Sequence, residues 1–288
     1  MSGVAVLGVD FTSAPRPAKP ITVARGRLHG RALHLERIDA LVSFAAFESL
    51  LAEPGPWIGG FDFPFGLPRE CVRDLGWPQH WDALVRHCAA LGKAAFRLAL
   101  DGYREQRPAG ARYAHRATDL PARSHSPLKL VNPPVALMFL AGAPRLLAAG
   151  VTLPGIRAGD PRRIAVEAYP GLLARAITAA PYKSDDRAKQ TPARRRERSR
   201  IVAALVAGEA GLGCRLEAAP RLLASFVRDP SGDRLDATLA ALQAAWCWQR
   251  RGRRYGLPRD VDPCEGWIAS ARPVRAGGRN AAGAPSDA

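Results

Sequence analysis

Residues 4–10, VAVLGVD, form an apolar run closed by one acid, which predicts a buried strand ending at a carboxylate. The following PITVARGRLHGRALHLERI alternates apolar and polar positions around His29 and Gly30, predicting a hairpin with strands at 20–28 and 31–38. SFAAFESLLAE (43–53) has helical spacing with Ser43 at the N-cap, and PWIGGFDFPFGLP (56–68) returns to strand character until prolines break it. Helical patterns recur at 78–91, 93–104 and 133–149. Between them the stretch 104–134 is long, basic and punctuated by proline, the mark of a functional or disordered loop. RRIAVEAYPG (162–171) reads as another buried strand. Thr191 and Pro192 open a helix over 191–210. SGDRLDATLAALQAAWCWQRRG (231–252) is a further helix, with Leu235, Leu239, Leu242 and Trp246 spaced along one buried face.

The resulting order is β-β-β-α-β, a helical insertion, then β and α: an α/β protein with a mixed sheet. One domain is expected over 1–270, with the insertion at about 69–160. Beyond it, 271–288 is rich in Gly, Ala, Arg and Pro and reads as a disordered tail.

Charge adds a partner class. With 42 Lys and Arg against 26 Asp and Glu, the net charge of +16 favours phosphate polyanions, hence DNA or RNA. Only 5 of the basic residues are lysine, and an arginine- and alanine-rich composition is also what a GC-rich genome writes, so the charge supports this reading without carrying it. The 5 cysteines include no C-x-x-C pair, so neither zinc nor a disulfide framework is suggested and the chain reads as cytoplasmic. Without a signal-type core or an apolar run near 18 residues, neither export nor membrane spanning is expected.

The chemistry rests on acids placed where a sheet would expose them along one edge. Asp10 ends the first strand, Asp62 the fourth and Glu167 the fifth, while Asp233 and Asp236, three apart, project from one side of the last helix. Each has a local role open to it. Asp10, Thr12 and Ser13 suit a turn, Asp62 precedes Pro64, Glu167 has many arginines to pair with, Asp233 suits an N-cap and Asp236 the helix dipole. All are embedded in apolar sequence, where an unpaired charge is costly and a divalent cation removes the cost. Carboxylates suit Mg²⁺ or Mn²⁺, and two such ions can activate water and stabilise the leaving oxygen of a phosphodiester.

Substrate contacts are expected from the Thr12 and Ser13 turn, from Lys183 after Tyr182, and from Arg112, His115, Arg116 and Lys129 in the long loop. Arg194, Arg195, Arg196, Arg198 and Arg200 read as an exposed helix face.

This order of elements, with an acid on the first and fourth strands and an aspartate pair opening the last helix, resembles the ribonuclease H-like superfamily. Within it, GVDFTSAP, GGFDFPFGLP, VEAYPG, the YK at 182–183, DRLDATLAALQAAW and EGWI (265–268) are similar to the bacterial family numbered 429 among domains of unknown function. The similarity covers roughly residues 3–270, and its motifs are specific as a set rather than singly. It implies a ribonuclease H-like sheet with helices on both faces and a metal-dependent nuclease acting on DNA or RNA. It further implies that Asp10 bridges two ions, with Asp62 beside it and Asp236 and Asp233 completing the site. Glu167 and Glu265 match motif positions to which it gives no role. The D-x-x-D-A segment is similar to the last helix of Holliday-junction resolvases, which carry glutamate where this chain has Asp62. Two other functions stay open: a phosphotransferase or ATP-binding protein of the related kinase fold, and a nucleic-acid-binding protein without catalysis.

Overall fold

The computed structural model of the protein describes residues 3–273. Strands β1 (Val4–Asp10), β2 (Ile21–His29) and β3 (Ala32–Leu41) come first, and Gly30 at φ 56° makes the tight turn between the last two. Helix α1 (Phe44–Ala52) follows, its first turn capped by the Ser43 hydroxyl, which accepts from Ala46 N at 3.2 Å, and then β4 (Trp57–Asp62). The insertion contributes α2 (Arg69–Asp74), α3 (Trp81–Glu105), α4 (Asp119–Ala122) and α5 (Val135–Ala149). The chain continues through β5 (Val151–Thr152), β6 (Asp160–Glu167), α6 (Pro170–Ile177), α7 (Pro192–Ala207), β7 (Arg215–Ala218), α8 (Pro220–Arg228) and α9 (Asp233–Gln249).

The seven strands form one mixed sheet in the order β5-β6-β4-β1-β2-β3-β7. β2 is antiparallel to β1 and to β3, whereas β1 with β4, β4 with β6, β5 with β6 and β3 with β7 run parallel. Strand alternation divides the apolar side chains between two cores. Leu7, Val9, Phe61 and Ala165 pack on one face with residues of α1, α3 and α5. Val6, Ile58, Ile164 and Val166 pack on the other with residues of α6, α7, α8 and α9.

Two glycines set how closely α9 lies on the sheet. A Cβ on Gly8 would sit 2.0 Å from the Ala237 carbonyl oxygen, and one on Gly60 would sit 2.3 Å from that of Ala240. Only glycine lets the helix backbone rest directly on β1 and β4. Because side chains repeat every second residue along a strand, Asp10 and Asp62 project on the same face as Gly8 and Gly60, toward the start of α9.

Several boundaries differ from the expectation, each for a local reason. The helices expected at 78–91 and 93–104 are the two arms of α3, broken at Gly92 with φ 69° and ψ 170°. The strand expected over 162–171 stops at Glu167, because Pro170 in the first turn starts α6. The long loop carries the short α4 and buries Arg116, Thr118 and Asp119. Asp233 is not the N-cap of α9: Gly232 is, at φ 79°, and Asp229 Oδ2 accepts from Arg234 N in the first turn at 3.1 Å. Of the expected tail, residues 274–288 lie outside the described residues. No helix among the described residues is long and apolar enough to cross a membrane.

Candidate acidic cleft

At the carboxyl ends of β1 and β4 opens a cleft of about 820 Å³. Asp10 and Asp62 stand side by side at its base, being direct register partners of two parallel strands, whose backbones are spaced about 4.8 Å apart. Asp233 and Asp236 enter from the first turn of α9, and Thr12 and Ser13 line the adjoining turn. The sheet and the helix thus bring all five of the expected acids to one cleft, with Glu167 and Arg116 among its lining.

Their partners are unequal. Asp236 is fully buried; its Oδ1 accepts from the Tyr182 hydroxyl at 2.5 Å and its Oδ2 from the Lys183 ammonium. Asp233 holds Lys19, whose Nζ is 3.1 Å from both carboxylate oxygens. Among the described residues no side-chain ion pair engages Asp10 or Asp62. Burial, reinforced by Asp236 and Asp233, raises the Asp10 carboxyl well above the usual carboxylate range. Burial and then Asp236 push Asp62 up to about 7. Burial opposes the charge on Lys183, but Asp236 and its neighbours outweigh it and keep the ammonium protonated. The Tyr182 hydroxyl, raised by burial and by Asp236, remains a donor.

Carboxylate oxygens are the donor type suited to a hard divalent cation, and those of Asp10 and Asp62, with no ion pair among the described residues, open to the cleft. Among the described residues no group of three or more His, Cys, Asp or Glu side chains is placed so as to hold a metal ion, and the Lys183 ammonium occupies one Asp236 oxygen.

Glu167 lines the same cleft and adds to the rise of the Asp62 carboxyl, but its own oxygens are engaged by Arg116. It lies opposite Phe61 in the β4–β6 ladder, so its parity places it on the sheet face away from Asp10 and Asp62. There Arg116, 2% exposed, donates to both its oxygens at 2.7 and 2.8 Å, and Phe65 N donates to Oε2 at 2.9 Å. Arg116 also donates to Asp119 Oδ1 at 2.9 Å and to the Glu265 carbonyl at 2.9 Å. Burial opposes its charge, but Asp119 and Glu167 outweigh that and hold the guanidinium protonated well above its ordinary value. Arg116, expected as a substrate contact, does line the cleft, but it is buried with its guanidinium committed to Glu167, Asp119 and the Glu265 carbonyl. Glu265 is likewise engaged: its two oxygens accept from Arg69 N and Ala117 N, both at 2.9 Å.

The other loop candidates scatter. Arg112 and His115 are exposed and Lys129 is half-buried; none of the three lines the cleft. From this region His125 does, as do Arg116 and Ser124, and burial together with Lys129, Arg175 and His115 lowers the His125 imidazole pKa. Lys183 lines the cleft as expected. Tyr182, of the YK pair, joins it too, and Lys19, Asp185 and Arg175 do so without a local signal that marks them. In α7, Arg198 is buried rather than on an exposed face.

Fold and cleft together define a mixed α/β protein with an acidic, lysine-edged site at the carboxyl ends of parallel strands. The chain belongs to the family described as Protein of unknown function (DUF429), which matches residues 8–262. No curated protein and no solved structure matches it.

Proposed function

We propose that the protein is a metal-dependent nuclease of ribonuclease H-like type, hydrolysing phosphodiester bonds in DNA or RNA. The observation that carries this reading is the meeting of Asp10 and Asp62, in register on adjacent parallel strands and without counter-ions, with Asp233 and Asp236 at the start of α9. The central strand order β3-β2-β1-β4-β6, with β2 alone antiparallel to its neighbours, supports the topology. Ligands of open α/β sheets gather at the carboxyl ends of strands, where this cleft lies.

Asp10, Asp62 and Asp236 would hold Mg²⁺ or Mn²⁺, with Asp233 beside them. Such ions, when bound, supply an activated water and charge stabilisation at the leaving oxygen. The chain's own part is to fix the carboxylates through the α9 contact at Gly8 and Gly60, and to offer Lys19, Lys183 and the Thr12–Ser13 turn to phosphate oxygens.

The test is cleavage of labelled single- and double-stranded DNA and RNA in Mg²⁺ or Mn²⁺. Cleavage is expected from the wild-type chain and not from Asp10→Asn or Asp236→Asn proteins that retain their circular dichroism. Cleavage that survives both substitutions, or salt-sensitive binding indifferent to chelator with no product from any substrate, contradicts the proposal.

A further inference from the structure

Lys183 is held from behind and active in front. Arg198, 4% exposed, donates to the Tyr182 carbonyl at 2.7 Å and to the Val227 carbonyl at 3.0 Å. Arg194 donates to the Lys183 carbonyl, and Ser184 N donates to the Pro230 carbonyl at 3.1 Å. The side-chain stem leaves this clamp against Gly232, where a Cβ would come within 2.8 Å of Lys183 Cβ. Only its ammonium end reaches Asp236, and the side chain keeps 42% of its surface open. The root is therefore fixed while the tip, on a rotatable four-carbon stem, is free to change partners.

Asp236 cannot do without a cation, since a buried carboxylate left uncompensated costs several kcal/mol. Nor can an ammonium and a divalent cation share it without mutual repulsion at close range. We propose that Lys183 is the resident counter-ion of the cleft. It neutralises Asp236 while no divalent cation is bound, competes with that cation for the carboxylate, and once displaced turns to a substrate phosphate. This inference rests on the metal-dependent reading of the cleft. It assigns Lys183 a regulatory part in loading the site in addition to a substrate contact.

The experiment is calorimetric titration of MnCl₂ into the wild-type, Lys183→Met and Asp10→Asn chains, with thermal melting of each in chelator and in Mn²⁺. Lys183→Met is expected to melt lower in chelator, to bind Mn²⁺ about tenfold more tightly, and to gain more melting temperature from Mn²⁺ than wild type does. Lys183→Gln, which keeps a polar tip, guards against a packing failure and should move the same way. Mn²⁺ binding that depends on Asp10 but is unchanged or weaker in both lysine variants overturns the counter-ion role and leaves the metal site standing. Mn²⁺ binding absent from the wild-type and the lysine variants alike overturns both.

Discussion

Two carboxylate clusters reach one cleft from opposite faces of the sheet, and they differ in their partners. Around Arg116 one guanidinium meets two carboxylates, Glu167 and Asp119, and backbone N–H groups of Phe65 and Arg116 fill further acceptor positions, although burial still raises the Glu167 carboxyl. Around Asp10, four carboxylates share Lys19 and Lys183, and burial with like-charge repulsion pushes Asp10 and Asp62 toward the protonated form. The first cluster ties the long loop and the 265–268 segment to the sheet. The second is held in tension by the scaffold. Carboxylates held by a buried guanidinium and backbone N–H groups have their acceptor positions filled, whereas Asp10 and Asp62, without such partners and facing the cleft, are where a ligand belongs.

The contrast breaks most sharply at Arg116. Arg116→Met strands two buried carboxylates and should cost about 3–5 kcal/mol of unfolding free energy, read by denaturant titration. A loss below 1 kcal/mol would show that the network is not structural. Gly8→Ala comes next: its Cβ meets the Ala237 carbonyl at 2.0 Å, so α9 must back away, at about 1–3 kcal/mol. Because the same helix carries Asp233 and Asp236, Mn²⁺ binding should weaken in that variant even where it stays folded.

Asp62 gives a pH signature. Its carboxyl titrates near 7 in the fold against 3.8 ordinarily, so between about pH 4 and 7 the folded chain holds a proton that the unfolded chain has released. Its contribution to stability in chelator therefore falls as pH rises through that window and levels off above it. Asp62→Asn should flatten that part of the stability–pH curve. The smallest effect on stability belongs to Asp10→Asn, which removes one of several like charges. Its melting temperature in chelator should hold or rise slightly while cleavage is abolished, the reverse of the Arg116 variant.

What the sequence made legible follows from short-range rules. β1, the hairpin, α1, α7 and α9 are marked by alternation, by Ser43 and Thr191 caps and by Pro192, all interactions within a few residues. The meeting of Asp10 and Asp62 is written twice as Gly-x-Asp, in Gly8–Asp10 and Gly60–Asp62, because a period of two puts a close-approach glycine and an acid on one face. The same rule sets Glu167 apart: counted along β6 from Ile164 and Val166, it falls on the other face, so it reaches the cleft from the side opposite Asp10 and Asp62. The parts that stayed hidden are long-range. Arg116 finds Glu167 across 51 residues and Lys19 finds Asp233 across 214, and nothing local distinguishes these cations from the exposed arginines around them. Arg198 was hidden likewise, because four arginines of its own helix mask the one that turns inward.

Anomalous diffraction from crystals of the full chain soaked in Mn²⁺ tests the central claim most directly. The account predicts a Mn²⁺ peak bound by Asp10 and Asp62 at the mouth of β1 and β4, with the Lys183 ammonium moved off Asp236. A cleft without Mn²⁺, its four aspartates and two lysines arranged as before, would contradict it.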